Sequence, residues 1–456
     1  MIKIYDSKLK RKIEFKPLVE AQVSMYVCGP TVYDVAHLGH GRSAVCFDVI
    51  RKYFEYSGHK VKFVFNYTDV DDKIIDRANK EGISCDELIK RVMPEYDRDY
   101  LALGVKEPSV KPKPTEHIPE MVELIKRLED GGYMYVIDGD GVYFDVTKFE
   151  KYGELSGQKL EDLKAGARVE VKEGKRNSYD FVLWKFKKEG EPSWDSPWGE
   201  GRPGWHIECS AMSHKHLGEK FDIHGGGLDL KFPHHECEIA QAEGGYGAGN
   251  FAQHWIHNGF ITVDDEKMSK SLGNFFTLKE IFEKYDPKVV RFMFLQTHYR
   301  NPINFSDKLL EQSKAGLERL HDFVRYLRST GEGVDDVGKL VAEARKGFGS
   351  SMRDDFDTSG ALGSIFELVK AVHLIGNVGK KGAETILKFF EEVDEVFGVL
   401  LFKEEKADEG VEKSIKERDE ARKAKDFGRA DSIRYELLKK GIELEDTSSG
   451  TLWKRV

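Results

Sequence analysis

Two short motifs in this chain of 456 residues carry side chains that could bind phosphate groups. His37-Leu38-Gly39-His40 lies about 230 residues before Lys267-Met268-Ser269-Lys270-Ser271. Imidazole N–H groups can donate hydrogen bonds to phosphate oxygens as charge builds up in an in-line displacement. Two lysines on a polar loop can follow a leaving pyrophosphate as mobile charges. Each motif alone also fits an ordinary surface feature, so the ordered pair is what predicts a site for ATP phosphates.

A second set of residues has the chemistry of metal ligands. Cys28 and Cys209 lie far apart in the chain, and His234 and Glu238 are four residues apart, which places them on one face of any helix there. Two thiolates, one imidazole and one carboxylate form a set that zinc binds, and ligands from distant segments would frame a cleft. Buried cysteines with a surface histidine also fit this spacing, and Cys237 lies within reach of the same face.

The histidine motif lies in a segment whose apolar pattern predicts a β-α-β unit. Residues 23–28 and 61–67 are apolar runs typical of strands, and helical spacing fills the interval until Gly58. The two histidines then lie at the N-terminal end of the predicted helix, where backbone N–H groups and the helix dipole favour anions. Gly39 leaves room for a ligand to approach the backbone.

The two phosphate motifs resemble the HIGH and KMSKS motifs of the class I aminoacyl-tRNA synthetases. Four further stretches narrow the resemblance to the cysteinyl-tRNA synthetase family, and the likeness covers essentially the whole chain. These stretches are residues 26–34 (YVCGPTVYD), 66–73 (NYTDVDDK), 201–212 (GRPGWHIECSAM) and 224–236 (HGGGLDLKFPHHE). Cys237 departs from the family pattern, which usually has asparagine there. The choice between Glu238 and Cys237 as the fourth zinc ligand therefore stays open.

The resemblance implies an ATP-dependent ligase that works in two steps. The carboxylate of L-cysteine attacks the α-phosphorus of ATP, which gives cysteinyl-adenylate and pyrophosphate. A terminal ribose hydroxyl of cysteine tRNA then takes the acyl group. ATP would be accompanied by Mg²⁺, and one Zn²⁺ per subunit would select the substrate thiolate, because a serine hydroxyl is a poorer zinc ligand. The protein is expected to act as a monomer.

The resemblance also assigns roles to individual residues. The catalytic residues are His37, His40, Lys267 and Lys270. The zinc ligands are Cys28, Cys209, His234 and Glu238. The residues that would contact L-cysteine are Gly29, Thr68, Trp205, His224 and Asp229, of which the last would meet the substrate ammonium. The residues that would contact ATP are His37, Gly39, His40, Trp255, His257, Asn258, Gly259 and Lys270.

The length of the chain exceeds what one compact core holds, so several units are expected. The predicted fold is α/β: a Rossmann-type parallel-sheet catalytic domain with an inserted connective domain, then a C-terminal helical bundle and a small α+β anticodon-binding tail. The catalytic domain takes residues 1–115 and 201–285, and the insertion takes 116–200. The stem-contact segment with the helical bundle takes 286–400, and the anticodon-binding domain takes 401–456.

Composition excludes some locations and partners. Five cysteines in so long a chain, without a signal-peptide pattern, predict reduced thiols and a cytoplasmic location. The sequence contains no apolar run of eighteen residues, so no membrane partner is expected. The net charge of −9 argues against general adhesion to nucleic acid.

The last segment has a different charge balance. From residue 411 to 456, twelve Lys and Arg stand against ten Asp and Glu. The pattern predicts one helix over residues 421–440 with an apolar stripe, and a strand over 442–446. A basic helix beside Trp453 could hold RNA phosphates and stack an unpaired base, although an aromatic side chain packed on a helical tail fits too. The resemblance assigns Asp446 and Trp453 to the tRNA anticodon.

Two other function classes fit part of the pattern. A ligase that transfers activated cysteine to a small amine would share the zinc and adenylate sites, but it should lack the helical region and the basic tail. A catalytically silent zinc-binding or RNA-binding protein would keep the fold. The intact histidine pair and lysine loop argue against this second class.

Overall fold

The computed structural model describes residues 1–158, 174–263, 266–268, 275–401, 409–447 and 450–455. The chain divides into two compact units, Met1–Ser313 with Ser350–Gly360 and Lys314–Gly349 with Ala361–Val456. Within the described ranges, every helix is too short or too polar to span a bilayer.

The elements up to residue 305 include both strands and helices. In chain order they are β1 (Lys3–Asp6), β2 (Arg11–Glu14), β3 (Gln22–Val27), α1 (Leu38–Tyr56), β4 (Lys60–Phe65), α2 (Asp72–Glu81), α3 (Cys85–Ala102), α4 (Ile118–Asp130), β5 (Met134–Ile137), β6 (Gly141–Phe144), β7 (Phe181–Phe186), β8 (Gly201–Pro203), α5 (Trp205–Leu217), β9 (Phe221–Gly227), α6 (Glu236–Tyr246), β10 (Ala252–Asn258), β11 (Ile261–Val263), β12 (Glu266–Lys267), α7 (Leu278–Phe282), α8 (Pro287–Leu295) and β13 (Ile303–Phe305).

The elements after residue 305 are mostly helical. They are α9 (Asp307–Ser329), α10 (Gly338–Arg353), α11 (Thr358–Ile375), α12 (Lys380–Phe397), α13 (Glu409–Lys423), α14 (Phe427–Lys439), β14 (Ile442–Thr447) and β15 (Gly450–Arg455). The predicted fold class, α/β with a parallel sheet followed by a helical C-terminal region, is confirmed.

A four-stranded parallel sheet lies at the centre of the first unit, in the order β10-β9-β3-β4. Helix α1 joins β3 to β4, as the β-α-β prediction requires. It packs on β4 and β9, and α5 packs on β3. Strands held between helices in this way are expected to be apolar along their length. Because all four strands are parallel, their carboxyl ends meet at one edge of the sheet, where ligands bind in open α/β folds.

A second sheet lies between the two halves of the parallel sheet in the sequence. Strands β5, β6, β7 and β8 are antiparallel neighbours in that order. Helices α4, α5 and α6 pack on one another, and the large side chains Phe144, Trp184 and Phe221 belong to the core that they share with this sheet. Helix α5, which follows β8 directly, packs on β7 of this sheet and on β3 of the parallel sheet, and so connects the two sheets.

A buried ion pair ties helix α1 to helix α8. Arg291 Nη2 donates to Asp48 Oδ2 at 2.7 Å, and Nη1 donates to the carbonyl oxygen of Leu103 at 3.0 Å. The side chains of Arg291 and Asp48 are each only 1% exposed. Asp48 Oδ2 also lies 2.8 Å from Lys52 Nζ, whose side chain is 14% exposed, so removal of Arg291 would leave the buried carboxylate with Lys52 as its ion-pair partner.

We expect Arg291→Met to lower the free energy of unfolding by about 1–3 kcal/mol, because the buried Asp48 carboxylate loses its hydrogen bond from Arg291 and keeps Lys52 as its counter-charge. Urea denaturation followed by tryptophan fluorescence measures the change. The matched control is Lys90→Met, which breaks the ion pair between Lys90 and Asp86. The side chains of these two residues are 74% and 73% exposed. The control should leave the midpoint nearly unchanged. Equal midpoints for both variants would contradict the prediction.

The segment 350–360 returns to the first unit after α10 and holds its N-terminal strand. Asp355 is fully buried, and its Oδ1 accepts hydrogen bonds from Tyr5 N and from Tyr299 Oη, both at 2.7 Å. Its Oδ2 accepts from Arg300 Nε at 2.7 Å. Asp355 and Phe356 have φ angles of 70° and 54°, a left-handed conformation that these contacts must maintain.

In the second unit, aromatic side chains pack between helices. Phe323 on α9 lies 5.7 Å from Phe390 on α12, measured between ring centroids, and both are buried. The small terminal part has its own core, in which Val411 and Leu437 pack with Ile442 and Leu444 of the hairpin β14-β15. The predicted strand over residues 442–446 is confirmed.

The prediction of one helix over residues 421–440 is wrong, because the helix is interrupted after Lys423. Lys425 has a left-handed φ of 61°. Asp426 then caps a new helix by accepting a hydrogen bond from Arg429 N at 3.1 Å. Phe427, the first residue of the new helix, is 60% exposed, whereas Ala430 one turn later is buried.

Candidate active site

A cleft of about 320 Å³ lies at the edge where the parallel strands end. Small-molecule sites commonly measure about 300–1,000 Å³. The loop after β3, the start of α1 and the ends of β9 and β10 form its walls. The lining residues are Cys28, Gly29, Pro30, Thr31, Tyr33, His37, Gly39, His40, Ser43, Phe65, Lys73, Tyr100, Trp205, Gly227, Asp229, Leu230, Asn258, Gly259, Phe260, Ile261 and Met268.

The histidine motif caps helix α1. His37 Nδ1 accepts hydrogen bonds from Gly39 N at 3.0 Å and from His40 N at 3.4 Å. His37 N donates in return to His40 Nδ1 at 3.3 Å, and the two rings stack with centroids 3.6 Å apart. Because both Nδ1 atoms accept, the neutral rings carry their protons on Nε2. The Nε2–H groups are therefore the donors that these rings offer to an anion in the cleft.

Gly29 lies where the chain after β3 passes closest to the chain after β4. A Cβ atom at this position would lie 1.6 Å from the backbone oxygen of Asn66, so a larger residue cannot fit. Gly29 N donates to Asn66 Oδ1 at 3.0 Å. This contact fixes the start of the loop that carries Cys28 into the cleft.

The four predicted metal ligands come together beside the cleft. Cys28 Sγ lies 3.5 Å from Cys209 Sγ and 3.4 Å from Glu238 Oε1. His234 Nε2 lies 2.9 Å from the same glutamate oxygen. All four residues are buried, and one donor atom of each lies within 4.8 Å of the others. All five cysteines of the chain are free thiols.

The spacing and electrostatics of this cluster fit a divalent metal. Bonds of about 2.0–2.3 Å in a tetrahedral site put the ligand atoms roughly 3.3–3.8 Å apart. Burial raises the pKa of Glu238 well above its usual value. Burial, together with the neighbouring Cys209 and Glu238, does the same for the pKa of Cys28. A bound cation would reverse both shifts by stabilising the deprotonated ligands.

Cys237 lies on a different side of helix α6. Its Sγ is 3.3 Å from Tyr152 Oη and it is fully buried. Neither group of candidate metal ligands among the described residues includes it. The geometry therefore favours Glu238 over Cys237 as a ligand.

The residues predicted to bind L-cysteine divide into two layers. Gly29, Trp205 and Asp229 line the cleft, and the Trp205 ring stacks on the His234 ring at 4.2 Å. Thr68 and His224 are buried away from the walls. Thr68 Oγ1 donates to Glu208 Oε2 at 2.8 Å, and His224 Nε2 lies 3.3 Å from Cys28 Sγ.

The residues predicted to bind ATP divide in the same way. His37, Gly39, His40, Asn258 and Gly259 line the cleft. Trp255 is 1% exposed and stacks on His224 at 4.6 Å. His257 is buried between His235 and Ser7, whose side-chain atoms lie 2.8 Å from its Nε2 and Nδ1.

The lysine loop is described only at its start. The backbone of Lys267 pairs with Thr262 between β12 and β11, and Met268 contributes to the cleft wall. The side chain of Lys267 and the whole of Lys270 lie outside the described residues. Their roles stay predictions.

Several lining residues were not predicted from the sequence. Tyr33 and Lys73 belong to the stretches that carry the family resemblance, and Lys73 Nζ lies 5.5 Å from the centre of the Tyr33 ring. Because both residues lie in those stretches, the resemblance could have identified them as residues of the cleft. Pro30, Thr31, Gly227 and Leu230 lie in the same stretches, and Met268 lies in the lysine motif. The lining residues outside every motif are Ser43, Phe65, Tyr100, Phe260 and Ile261.

The two predicted anticodon contacts lie on the terminal hairpin. The carboxylate of Asp446 accepts two hydrogen bonds from Arg418, at 2.7 and 2.8 Å, and it also contacts Arg422. These hydrogen bonds hold the pKa of Asp446 below its usual value. The backbone of Trp453 pairs with Leu444, and its side chain lies outside the described residues.

We expect Arg418→Met to loosen the hairpin, because Arg418 is 3% exposed and neutralises Asp446. Hydrogen exchange of the backbone amides of residues 442–447 should become faster at neutral pH. The matched control is Arg429→Met, since Arg429 is 62% exposed and lies 3.9 Å from Glu417. Similar exchange in both variants would show that the Arg418 pair does not stabilise the hairpin.

Comparisons with known proteins match the chain from end to end. The family described as the class I (C) tRNA synthetase catalytic domain matches residues 14–315, and the DALR domain matches residues 347–402. A protein of Clostridioides difficile (strain 630) named cysteine–tRNA ligase is 50% identical, with 100% of both chains covered. One of Carboxydothermus hydrogenoformans with the same name is 52% identical, also with 100% of both chains covered.

A solved structure has the same fold at low sequence identity. The methionyl-tRNA synthetase of Mycobacterium tuberculosis, in complex with methionyl-adenylate, superposes with a TM-score of 0.60 at 15% identity. The match covers 82% of this chain and 90% of that one.

Proposed function

Because the chain belongs to the cysteine–tRNA ligase family of class I aminoacyl-tRNA synthetases, we propose that its cleft activates L-cysteine with ATP and transfers it to the 3′ end of cysteine tRNA. The observation that carries this proposal is the position of the His37-His40 pair and of the Cys28-Cys209-His234-Glu238 cluster at the same cleft. One end can bind phosphates and the other can recognise a thiol.

The amino acid would lie between the cluster and the Asp229 carboxylate. Asp229 lines the cleft and would accept hydrogen bonds from the substrate ammonium. Trp205 would cover the side chain of the substrate. The α-carboxylate is already an anion, so the attack on the α-phosphorus needs no general base.

The histidine pair would act on the phosphates. The Nε2–H groups of His37 and His40 would donate to phosphate oxygens as negative charge grows in the transition state. Helix α1 adds its N-terminal dipole to the same end of the cleft. Lys267 and Lys270 would neutralise the departing pyrophosphate, and Mg²⁺ would enter with ATP.

Cys28, Cys209, His234 and Glu238 would hold one zinc ion. Zinc bound there would supply a soft Lewis acid that accepts a thiolate far better than a hydroxyl, and so favours cysteine over serine. The chain's own part is to keep the four ligands buried and prearranged. His206 assists, since its Nδ1 lies 2.9 Å from His234 Nδ1 and fixes the orientation of that ring.

The remaining parts of the chain would bind tRNA. We assign the anticodon to residues 401–456, with Asp446 and Trp453 as contacts, and the stem to residues 286–400. Residues 116–200 form the connective insertion of the catalytic domain. A cytoplasmic location and a monomeric state complete the proposal.

The test is cysteine-dependent exchange of pyrophosphate into ATP, followed by charging of cysteine tRNA. We expect exchange with cysteine and none with serine, and loss of exchange after removal of metal by a chelator. Exchange without tRNA charging would favour transfer to a small amine. Absence of exchange with metal-loaded protein would overturn the proposal.

A further inference from the structure

Arg42 is a buried cation that makes no ion pair with a carboxylate among the residues that the structure describes. It lies two residues after His40 on helix α1 and is only 1% exposed. An arginine side chain stays protonated in proteins, and burial of a charge is costly unless the charge is paired or hydrogen-bonded. The equally inaccessible Arg291 has the Asp48 carboxylate as its partner. The burial of Arg42 must therefore be offset by its hydrogen bonds.

The guanidinium of Arg42 binds three backbone carbonyl groups from two segments of the chain. Nη1 donates to the carbonyl oxygen of Phe260 at 2.5 Å, just before strand β11. Nη2 donates to the carbonyl oxygen of Tyr299 at 3.2 Å and also to that of Asn301, both before strand β13. Because the donors of a guanidinium point in fixed directions, these contacts fix the start of both strands relative to α1.

Strand β11 in turn holds the start of the lysine motif. Met268 N donates to the carbonyl oxygen of Ile261 at 3.2 Å, and Ile303 N donates to that of Phe260 at 3.0 Å. The packing leaves little slack, since a Cβ atom on Gly259 would lie 2.6 Å from the backbone oxygen of Asn301. The orientation of the hairpin β11-β12 therefore determines where the lysine motif begins at the cleft.

The chain after the lysine motif also returns to the start of α1. Leu38 N donates to the carbonyl oxygen of Phe276 at 3.1 Å, and Leu278 N donates to that of Ala36 at 2.9 Å. The described residues on both sides of the motif are thus attached to α1 and its cap. On the leading side, the attachment runs through the side chain of Arg42.

We propose that Arg42 is a positioning residue, whose guanidinium sets the hairpin β11-β12 in the geometry that the activation step needs relative to His37 and His40. The inference rests on the proposed function, because it takes these two histidines as donors to ATP phosphates. Arg42 does not line the cleft, so it acts through Phe260 and the hairpin. Such placement has large effects, since an error of about 1 Å can cost about 100-fold in rate.

The first test is the kinetics of Arg42→Met, which removes all the donors and keeps a long side chain. We expect the kcat of cysteine-dependent ATP–pyrophosphate exchange to fall about 10–100-fold. The KM for L-cysteine should stay nearly unchanged, because Trp205 and Asp229 lie on other elements and a positioning defect acts on the transition state. A kcat close to that of wild type would overturn the proposal.

The second test is local hydrogen exchange, which needs no turnover. The amides of Gly259, Met268 and Ile303 donate within the segments that Arg42 holds, and they should exchange faster in Arg42→Met. Unchanged exchange at all three amides would overturn the inference about Arg42. Absence of ATP–pyrophosphate exchange in wild-type protein would overturn the proposed function instead, and the amide measurement keeps the two failures distinct.

Arg291→Met is the matched control, because it removes another buried guanidinium and destabilises the same unit. Its local effect should fall on residues 103–106, where Lys106 N donates to Asp48 Oδ1 at 2.8 Å. Below its thermal midpoint, its kcat should stay close to that of wild type. An equal loss of kcat in both variants would show general destabilisation and overturn the proposal.

Arg42→Lys keeps the inference testable if the methionine variant does not fold. Lysine retains the charge but is a point donor without the planar fork that reaches three carbonyls. We expect the same amides to exchange faster and kcat to fall by less than in Arg42→Met. Wild-type amide exchange and kcat in Arg42→Lys would show that the charge alone suffices, and would overturn the positioning role.

Discussion

Cys209→Ser is expected to lose the tightly bound metal ion and, with it, most cysteine-dependent ATP–pyrophosphate exchange. The hydroxyl that replaces the thiolate is a poor ligand, and Cys209 Sγ lies only 3.5 Å from Cys28 Sγ in the buried cluster. Loss of a partner that only orients a ligand costs about 10–100-fold, so loss of the ligand itself should reduce exchange by more than about 100-fold. Metal affinity against a chelator and exchange with cysteine measure both effects.

The matched control is Cys46→Ser. Cys46 is also buried, but it lies on helix α1 and is absent from both ligand groups among the described residues. Metal affinity and exchange should stay close to those of wild type. A Cys209→Ser protein that keeps wild-type metal affinity and preference for cysteine over serine would show that the ligand set is misassigned.

His37→Asn is expected to reduce exchange by about 100–1,000-fold while leaving the protein as stable as wild type. The loss follows from removal of one preorganised donor to the charge that develops on phosphate. Asparagine is a favoured N-cap residue, so helix α1 keeps a cap for the N–H groups that His37 Nδ1 now satisfies. The exchange rate and the thermal midpoint are measured together.

His37→Ala separates the two roles of this residue. It should lose as much exchange as His37→Asn, and it should also lose about 0.5–2 kcal/mol of stability because the cap is gone. If His37→Asn retained exchange within twofold of wild type, the imidazole would have no part in the chemistry.

The features that the sequence predicted well depend on local patterns. The apolar run before Cys28 and the helical spacing after the histidine motif define a β-α-β unit, and that unit alone places His37 and His40 at a helix N-terminus. The metal ligands are different. Cys28 and Cys209 are 181 residues apart, and their contact follows from the packing of helix α5 on β3, which the sequence pattern does not indicate.

The sequence did not indicate which of the predicted site residues line the cleft and which are buried behind its wall. Thr68, His224, Trp255 and His257 lie in the same stretches as residues of the cleft wall, yet they are buried behind it. Alternation along a strand decides which side chain faces the cleft, and a shift of one residue reverses it. The break in the terminal helix was not predicted for a local reason. It depends on Lys425 in the left-handed conformation, which lysine rarely adopts, so the apolar pattern did not indicate it.

The return of segment 350–360 has a consequence for synthesis of the protein on the ribosome. Strand β1 is held by Asp355, which follows Tyr5 by 350 residues. A nascent chain that has emerged only as far as α9 contains the whole parallel sheet but not this carboxylate. At about 5–20 residues per second, its N-terminal strand waits many seconds for its partner. Completion of the first unit therefore comes late in translation, after part of the second unit has already emerged.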